Sequence, residues 1–326
     1  EKISNTLSAD LNANNPDLTA FYNNGSKLLA YSGSADPCVP YPDAMEDYAL
    51  DYIDRKVEAG EPFMLYFTEP LVHTPHVTTP DSHDWDWNYE SRFTAGQDTS
   101  YFRDMVKYLD KQVGNMVAHL KEKGVWDNTI FIFSADNGTS TRIVSKQKDG
   151  SRIRGGKGSP TYRGTHVPLI VAWGDKVAGR TSDRIVDLTD IFPTIADICG
   201  IEIPQEWNIQ GVSLYPELCG EEPLEKELSL VHFNPLWPTT PAPYASRYAM
   251  NDVYAYFWDG RIYDYRNDPE FKNAIMYDDA SAEIKEAVAE LKARVEEVDF
   301  YPDMPGKPRR SDYGTFYDFA PPQNPF

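Results

Sequence analysis

Cysteine is scarce in this chain. Three residues, Cys38, Cys199 and Cys219, allow at most one disulfide and show none of the paired spacings of a thiolate metal site. Positive charge is also short: 31 Lys and Arg stand against 51 Asp and Glu, a formal charge of −20 that disfavours nucleic acid or an anionic membrane as partner. No stretch approaches the ~20 apolar residues of a membrane helix, and no secretory leader is visible at the start. A P-loop is absent too, because Gly158 follows Lys157 where that motif needs Ser or Thr, and Ser151 stands where its first Gly belongs. What remains is a 326-residue chain, 41% hydrophobic, with room for one large α/β unit and a smaller appended one.

Its most informative stretch is Asn128-Thr-Ile-Phe-Ile-Phe-Ser-Ala-Asp136-Asn137-Gly138, followed closely by Gly155-Gly156-Lys157-Gly158. An apolar run that delivers Asp and Asn side by side reads as a strand ending in hard oxygen ligands. A lysine on a nearby glycine-rich loop suits an anion, so the pair suggests a metal-assisted site for a sulfate or phosphate ester. Taken singly, each piece also reads as ordinary turn chemistry, since Asn and Gly tolerate positive φ.

A third element points the same way. Glu61-Pro-Phe-Met-Leu-Tyr-Phe67 reads as a second buried strand and runs into Glu69-Pro-Leu-Val-His73-Thr-Pro-His76, two histidines three apart in a proline-stiffened loop. Two strands that each empty into ionisable residues match a site at the strand ends of an open α/β sheet.

Around these, residues 43–57 have helical spacing, with Ala44, Tyr48, Ile53 and Val57 as the expected buried face. Residues 101–123 form a longer amphipathic helix, stopped by Gly124, that leads into the strand ending at Asp136 as a crossover unit. An insert at 79–97 carries Trp85, Trp87 and Tyr89; these aromatics either pack on the domain or stack on a sugar ring. Residues 167–173 read as a strand, and 191–199 as a helix that buries Cys199. Asp259-Gly260 marks a hairpin between 248–257 and 261–265, followed by a helix at 280–298 that turns Ile284, Val288, Leu291 and Val295 to one side. The first forty residues read as surface loops and 299–326 as extended chain; His83 and His119 read as structural or surface residues. The expected domains are 1–238, the α/β part, and 239–326, a small antiparallel sheet covered by a helix.

In order along the chain, the sequence resembles the sulfatase family of the alkaline-phosphatase-like superfamily. The resemblance is carried by Pro62-Phe-Met-Leu-Tyr-Phe…His73-Thr-Pro-His, by Met105-Val-Lys-Tyr-Leu-Asp-Lys-Gln-Val-Gly114 and by Asp127-Asn-Thr-Ile-Phe-Ile-Phe-Ser-Ala-Asp-Asn-Gly. It continues in Gly155-Gly-Lys-Gly-Ser…Gly164-Thr-His-Val-Pro-Leu-Ile-Val171, in Asp187-Leu-Thr-Asp-Ile-Phe-Pro-Thr-Ile-Ala-Asp-Ile-Cys-Gly200 and in Asp259-Gly-Arg-Ile-Tyr-Asp-Tyr-Arg-Asn-Asp-Pro269. It implies an α/β sheet flanked by helices, with a small C-terminal antiparallel sheet plus helix. Asp136 and Asn137 become ligands of a divalent cation, Ca²⁺ or Mg²⁺. Lys157 binds the sulfate group and steadies the bridging oxygen, while His73 serves the leaving oxygen, general-acid work suited to an imidazole. His76 orients the loop or touches substrate; His166, immediately before a strand, supports the site; His232, in a short strand ending in polar residues, lines the rim.

The family also carries paired aspartates and a Cys-x-Pro-Ser-Arg segment whose Cys becomes a formylglycine nucleophile. Cys38-Val-Pro40-Tyr-Pro42 only partly mimics that segment, and Asp278-Asp279 is misplaced for the aspartates. The resemblance therefore implies a chain that begins inside a sulfatase, inactive alone, with its N-terminal part as a possible partner. The implied substrate is a sulfated small molecule or glycan, met in the periplasm or outside the cell. A phosphoester or phosphonate hydrolase of the same superfamily and a non-catalytic glycan-binding remnant stay open as alternatives.

Overall fold

The computed structural model describes residues 42–85, 99–174, 176–233 and 246–297. The chain divides into two compact units, Glu1–Thr129 and Ile130–Phe326. Cys38, Trp87, Tyr89, the tail from residue 298 and the expected boundary at 238/239 lie outside the described residues.

In the first unit, helix α1 (Pro42–Ala59) packs along helix α2 (Phe102–Glu122). The face α1 buries is Ala49, Tyr52 and Ile53, together with Glu46; of the expected face Ile53 is buried, Val57 is half-buried and Tyr48 is exposed, while the Ala44 side chain lies outside what the structure describes. On α2 the buried stripe is Met105, Tyr108, Gln112, Met116 and Leu120, the spacing of one helical face. Polar bonds set the register between the helices. Asn115 donates to Glu46 at 2.7 Å, and Asp54 accepts from both His119 (2.6 Å) and Lys123 (2.8 Å). The lysine first, and then the histidine, hold the Asp54 carboxyl below its ordinary range. His119 is thus structural, as expected, and Gly124 ends the helix with a φ of +72°.

The segment 61–67 departs from its sequence pattern. It alternates half-buried and exposed residues as a strand does, yet it forms no ladder among the described residues, and Met64 and Tyr66 are 58% and 80% exposed. Its inward residues lean on α1: Phe63 meets the Tyr52 ring edge-on at 6.1 Å, and Lys56 binds Glu61 at 2.7 Å. Apolar alternation specifies a pleated surface, but a ladder also needs an adjacent backbone.

In the second unit, strand β1 (Ile130–Ser134) pairs antiparallel with β4 (Leu169–Trp173), with Ile130 opposite Trp173 and Ser134 opposite Leu169. Helix α2 precedes β1 in the chain as expected, and β4 is the strand that pairs with β1 among the described residues. Between these strands, β2 (Val144–Lys146) and β3 (Arg152–Arg154) form a short hairpin. Helix α3 (Tyr162–Thr165) is a single turn, and α4 (Ile191–Ile198) follows a 3₁₀ turn, Leu188–Asp190. Cys199, expected to be buried, is exposed because it caps α4 where the helix ends at Gly200.

One charged network anchors this middle part. Asp190, with no exposed surface, accepts from the Val212 amide at 2.7 Å and from Lys226 at 2.6 Å, and the Lys226 side chain is only 6% exposed. Lys226 also reaches Asp187 at 2.9 Å, while Ser229 and the Thr189 amide donate to that same carboxylate. Burial alone would raise the Asp187 pKa; the bonds from Thr189, Lys226 and Ser229 outweigh it and bring it below the ordinary value.

The C-terminal sheet is a five-stranded antiparallel meander in sequence order: β5 (Ser229–Phe233), β6 (Ser246–Met250), β7 (Tyr254–Phe257), β8 (Arg261–Asp264) and β9 (Ile275–Met276). The expected single strand 248–257 is two strands, because Asn251 turns the chain by accepting from the Val253 and Tyr254 amides. Gly260, with φ +87°, closes the expected Asp259-Gly260 hairpin. A single turn, α5 (Tyr215–Leu218), precedes this sheet, and the helix expected at 280–298 consists of two pieces, α6 (Ala282–Ala287) and α7 (Ala289–Glu297), joined at Val288. These pieces cover one sheet face with Val288, Leu291 and Val295 against Ala249, Tyr256 and Ile262. The opposite face carries an aromatic cluster of Tyr248, Phe257, Tyr263 and Phe271.

Two outcomes follow from the Asp187–Asp190–Lys226 network. Lys226→Met should lower the stability of the unit by about 3 kcal/mol, read by denaturant unfolding, because it strands a buried carboxylate. Asp187, with its depressed pKa, contributes stability that is complete above the ordinary carboxylate pKa and is lost as pH falls through the folded value. Asp187→Asn should therefore flatten the acid limb of a melting-temperature profile; an unchanged limb would contradict this.

Candidate functional site

Strand β1 ends at Ser134, whose hydroxyl donates to the Pro168 carbonyl at 2.9 Å and so fixes the strand end against the start of β4. Two residues later the chain presents Asp136, exposed, and Asn137, half-buried. Gly138 then turns inward and is buried.

At Gly138 the sequence needs glycine for space. Its amide donates to the Gly164 carbonyl at 2.9 Å, and a Cβ there would sit 2.0 Å from the Arg163 carbonyl oxygen. Three more glycines share the constraint. A Cβ on Gly155 would lie 2.2 Å from the Ser140 carbonyl oxygen, one on Gly156 would lie 2.7 Å from the Arg163 carbonyl carbon, and one on Gly164 would lie 2.1 Å from the Ser159 carbonyl oxygen. Three loops thus meet backbone to backbone: the one after β1, the one after β3, and the turn of α3. Only residues without a side chain permit such an approach.

Lys157 rides on this knot. Its amide donates to the Thr139 carbonyl at 2.9 Å, two residues beyond Asn137. Gly158 has φ +80°, and the Ser159 amide returns to the Gly156 carbonyl at 3.0 Å, the pattern of a type II turn with Lys157 at its second position. The Ser159 hydroxyl reinforces the turn by donating to the same carbonyl at 2.8 Å. The loops bearing Asp136, Asn137 and Lys157 are thereby held together through main-chain bonds.

His166 emerges from the same cluster. Its ring stacks on Tyr162 at 4.6 Å, and Tyr162 stacks in turn on Tyr265 at 5.2 Å. Loss of water within the stack lowers the His166 pKa from the ordinary imidazole value, although the residue keeps an exposed side. The sequence reading missed the neighbours that fasten this corner. Arg163 donates from Nη1 to the Arg154 carbonyl at 2.9 Å and pairs with Glu270 at 3.4 Å. The Thr165 and Tyr248 hydroxyls meet at 3.2 Å, and burial pushes the Tyr248 phenol upward. The available signal was the Gly156–Gly164 spacing, which brackets Tyr162 and Arg163.

The remaining candidates are carried by other elements. His232 is exposed on β5, opposite Arg247 of β6. In the first unit His73 is exposed, with its Nδ1 2.6 Å from the Thr74 carbonyl, while His76 is 1% exposed and meets Phe102 edge-on at 5.6 Å. The proline loop is therefore an inner and an outer imidazole.

As donors for a hard cation, Asp136 and Asn137 have the right chemistry, a carboxylate and an amide oxygen. Their number falls short. Among the described residues no group of three or more His, Cys, Asp or Glu could hold a metal ion. An oxygen shell of six to eight would need further donors.

The glycine knot has a direct test. Gly138→Ala or Gly164→Ala should destabilise the second unit by about 1–3 kcal/mol or more, since a main-chain carbonyl has to move. Gly114, in α2 with open space around it, is the control: Gly114→Ala should stabilise by about 0.5–1 kcal/mol. Equal effects at the three positions, read by urea unfolding, would contradict the knot.

Comparison with known proteins bears on the same residues. The family described as Sulfatase matches residues 6–201, and the family described as N-sulphoglucosamine sulphohydrolase, C-terminal, matches residues 162–299. The uncharacterized sulfatase YdeN of Escherichia coli (strain K12) is 30% identical over 227 residues, covering 68% of this chain and 38% of that protein. Steryl-sulfatase of Mus musculus is 30% identical over 180 residues, 53% of this chain and 27% of that protein. The chain thus spans well under two thirds of the length of these relatives. Among solved structures, Ps i-CgsB has 22% identity and a TM-score of 0.59, covering 86% of this chain and 62% of that one. The PsFucS1 sulfatase from Pseudoalteromonas sp. has 20% identity and a TM-score of 0.53, covering 81% and 54%. These two likenesses show a shared α/β fold. With the family's pattern running through more than half of its residues, the chain belongs to the sulfatase family.

Proposed function

We propose that this chain forms part of a metal-dependent hydrolase of sulfate esters, acting on a sulfated small molecule or glycan. The observation that carries the reading is the main-chain bond from Lys157 to Thr139, which joins an ammonium-bearing turn to the loop of Asp136 and Asn137. In this reading Asp136 and Asn137 hold a divalent ion, Ca²⁺ or Mg²⁺, which when bound supplies Lewis-acid stabilisation to a sulfate oxygen. Lys157 binds the same sulfate group and steadies charge on the bridging oxygen. His73 donates a proton to the leaving oxygen, and the buried His76 braces the loop that carries it. His166, backed by its aromatic stack, supports the Lys157 loop, and His232 stands at the rim.

The nucleophile has no counterpart by motif in this sequence, since Cys38-Val-Pro-Tyr-Pro lacks the Ser-Arg pair. A formylglycine supplied from a preceding segment fits the family, and with it the remaining metal ligands. The anionic substrate has to enter a protein of net charge −20, so the local cations must reverse the field at the site. Relatives named as steryl-sulfatase and arylsulfatase A support an ester of an alcohol or phenol as the reacting group. On the family resemblance we place the enzyme in the periplasm or outside the cell.

In the full-length protein, Asp136→Ala should abolish turnover of 4-methylumbelliferyl sulfate together with loss of bound metal. Lys157→Ala should lower kcat by about 10²–10³-fold with the metal retained. Retained turnover and metal content in Asp136→Ala would refute the assignment.

A further inference from the structure

The strongest unassigned feature is the β2–β3 hairpin. From Arg142 to Arg163 the chain carries seven basic residues and a single acid, Asp149, within a protein of formal charge −20. The acid is used locally. Asp149 accepts from the Ser151 amide at 2.8 Å, and bonding from Ser151 holds its carboxyl below the ordinary range.

The strand register concentrates the cations further. Val144 pairs with Arg154 and Lys146 with Arg152, while Ser145 pairs with Ile153 on the other side. Lys146, Arg152 and Arg154 consequently share one face of the hairpin. Lys146 and Arg152 stand directly opposite each other, an arrangement that costs stability in a ladder. Both are exposed, and neither has an ion-pair partner among the described residues. Protecting a short edge from aggregation needs only isolated charges, not a matched pair of one sign.

The hairpin is also tied to the candidate site. Arg154 donates to the Thr141 carbonyl at 2.9 Å, the Gly155 amide donates to the Ile143 carbonyl at 3.0 Å, and Arg163 donates to the Arg154 carbonyl. Its cationic face therefore starts three residues before Lys157 and is fixed at the base by the glycine knot. Arg152 and Arg154 lie roughly 6–7 Å apart along the strand, a step on the order of one monosaccharide in an extended chain.

We propose that this hairpin is an arm that holds further anionic groups, sulfate or carboxylate, on an oligosaccharide whose reacting sulfate lies at Lys157. The proposal rests on the sulfatase reading above and narrows its substrate to a polyanionic glycan. Arginine and lysine side by side give both bidentate and point-charge contacts to such groups.

The test is the double charge reversal Lys146→Glu/Arg152→Glu in the full-length protein, with folding checked by circular dichroism. Binding is measured by fluorescence anisotropy with three labelled probes: a fully sulfated heparin hexasaccharide, its desulfated N-acetylated counterpart, and a DNA duplex of matched charge. Affinity for the sulfated hexasaccharide should fall about tenfold or more, and in the parent protein it should exceed that for DNA. Unchanged affinity for the sulfated probe overturns the proposal. Equal parent affinity for DNA overturns it as well, whereas a loss with the desulfated probe, which keeps its carboxylates, supports it as a loss with the sulfated probe does. Metal content and turnover of 4-methylumbelliferyl sulfate should stay at the parent level in this variant. Loss of the arm's effect with Asp136→Ala behaving as expected sinks the arm alone; an inert Asp136→Ala sinks the site reading and leaves the arm's binding result standing.

Discussion

The close approach of bare backbone at Gly138, Gly155, Gly156 and Gly164 is the constraint on which the candidate site depends. Each of these positions excludes a Cβ because a neighbouring main chain occupies its place. What is gained is proximity: the loop carrying a carboxylate and an amide oxygen, and the turn carrying an ammonium, are joined by main-chain bonds rather than by adaptable side chains. Polar groups held this way keep their spacing when charge develops between them, which is the condition for electrostatic preorganisation.

The rest of the second unit steadies that knot. Tyr162 reaches from the turn of α3 into the aromatic cluster on one face of the C-terminal sheet, and Thr165 meets the Tyr248 hydroxyl there. Arg163 adds a charged tie to Glu270, whose carboxyl is held below the ordinary range by Lys272 first and Arg163 second. The sheet gains its own rigidity from the helical pieces packed on its opposite face. The C-terminal sheet thus acts as a buttress for the loop that bears Lys157 and His166.

Much of this was legible in the sequence where local chemistry decides the outcome. The α2 helix, the β1 strand, the Gly124 stop and the Asp259-Gly260 hairpin all follow from periodicity and turn preference. The failures share a cause, dependence on partners distant in sequence. Residues 61–67 have a strand's alternation without a ladder, and the run at 248–257 hides a turn made by the Asn251 side chain. Asp187 and Asp190 stand just before the helix expected at 191–199, but nothing local announces Lys226 as their buried counter-ion. At the site, the doublet and the glycine-flanked lysine were visible as motifs, whereas the role of Tyr162 and Arg163 as fasteners required the fold.

The central claim is that Asp136, Asn137 and Lys157 serve one ion and one sulfate group. An anomalous difference map from crystals of the full-length protein grown with calcium and a sulfate ester tests it most directly. The account predicts a calcium peak about 2.3–2.6 Å from oxygens of both Asp136 and Asn137, with the sulfate between that ion and the Lys157 ammonium. A calcium ion bound elsewhere, with these three side chains facing solvent, would contradict it.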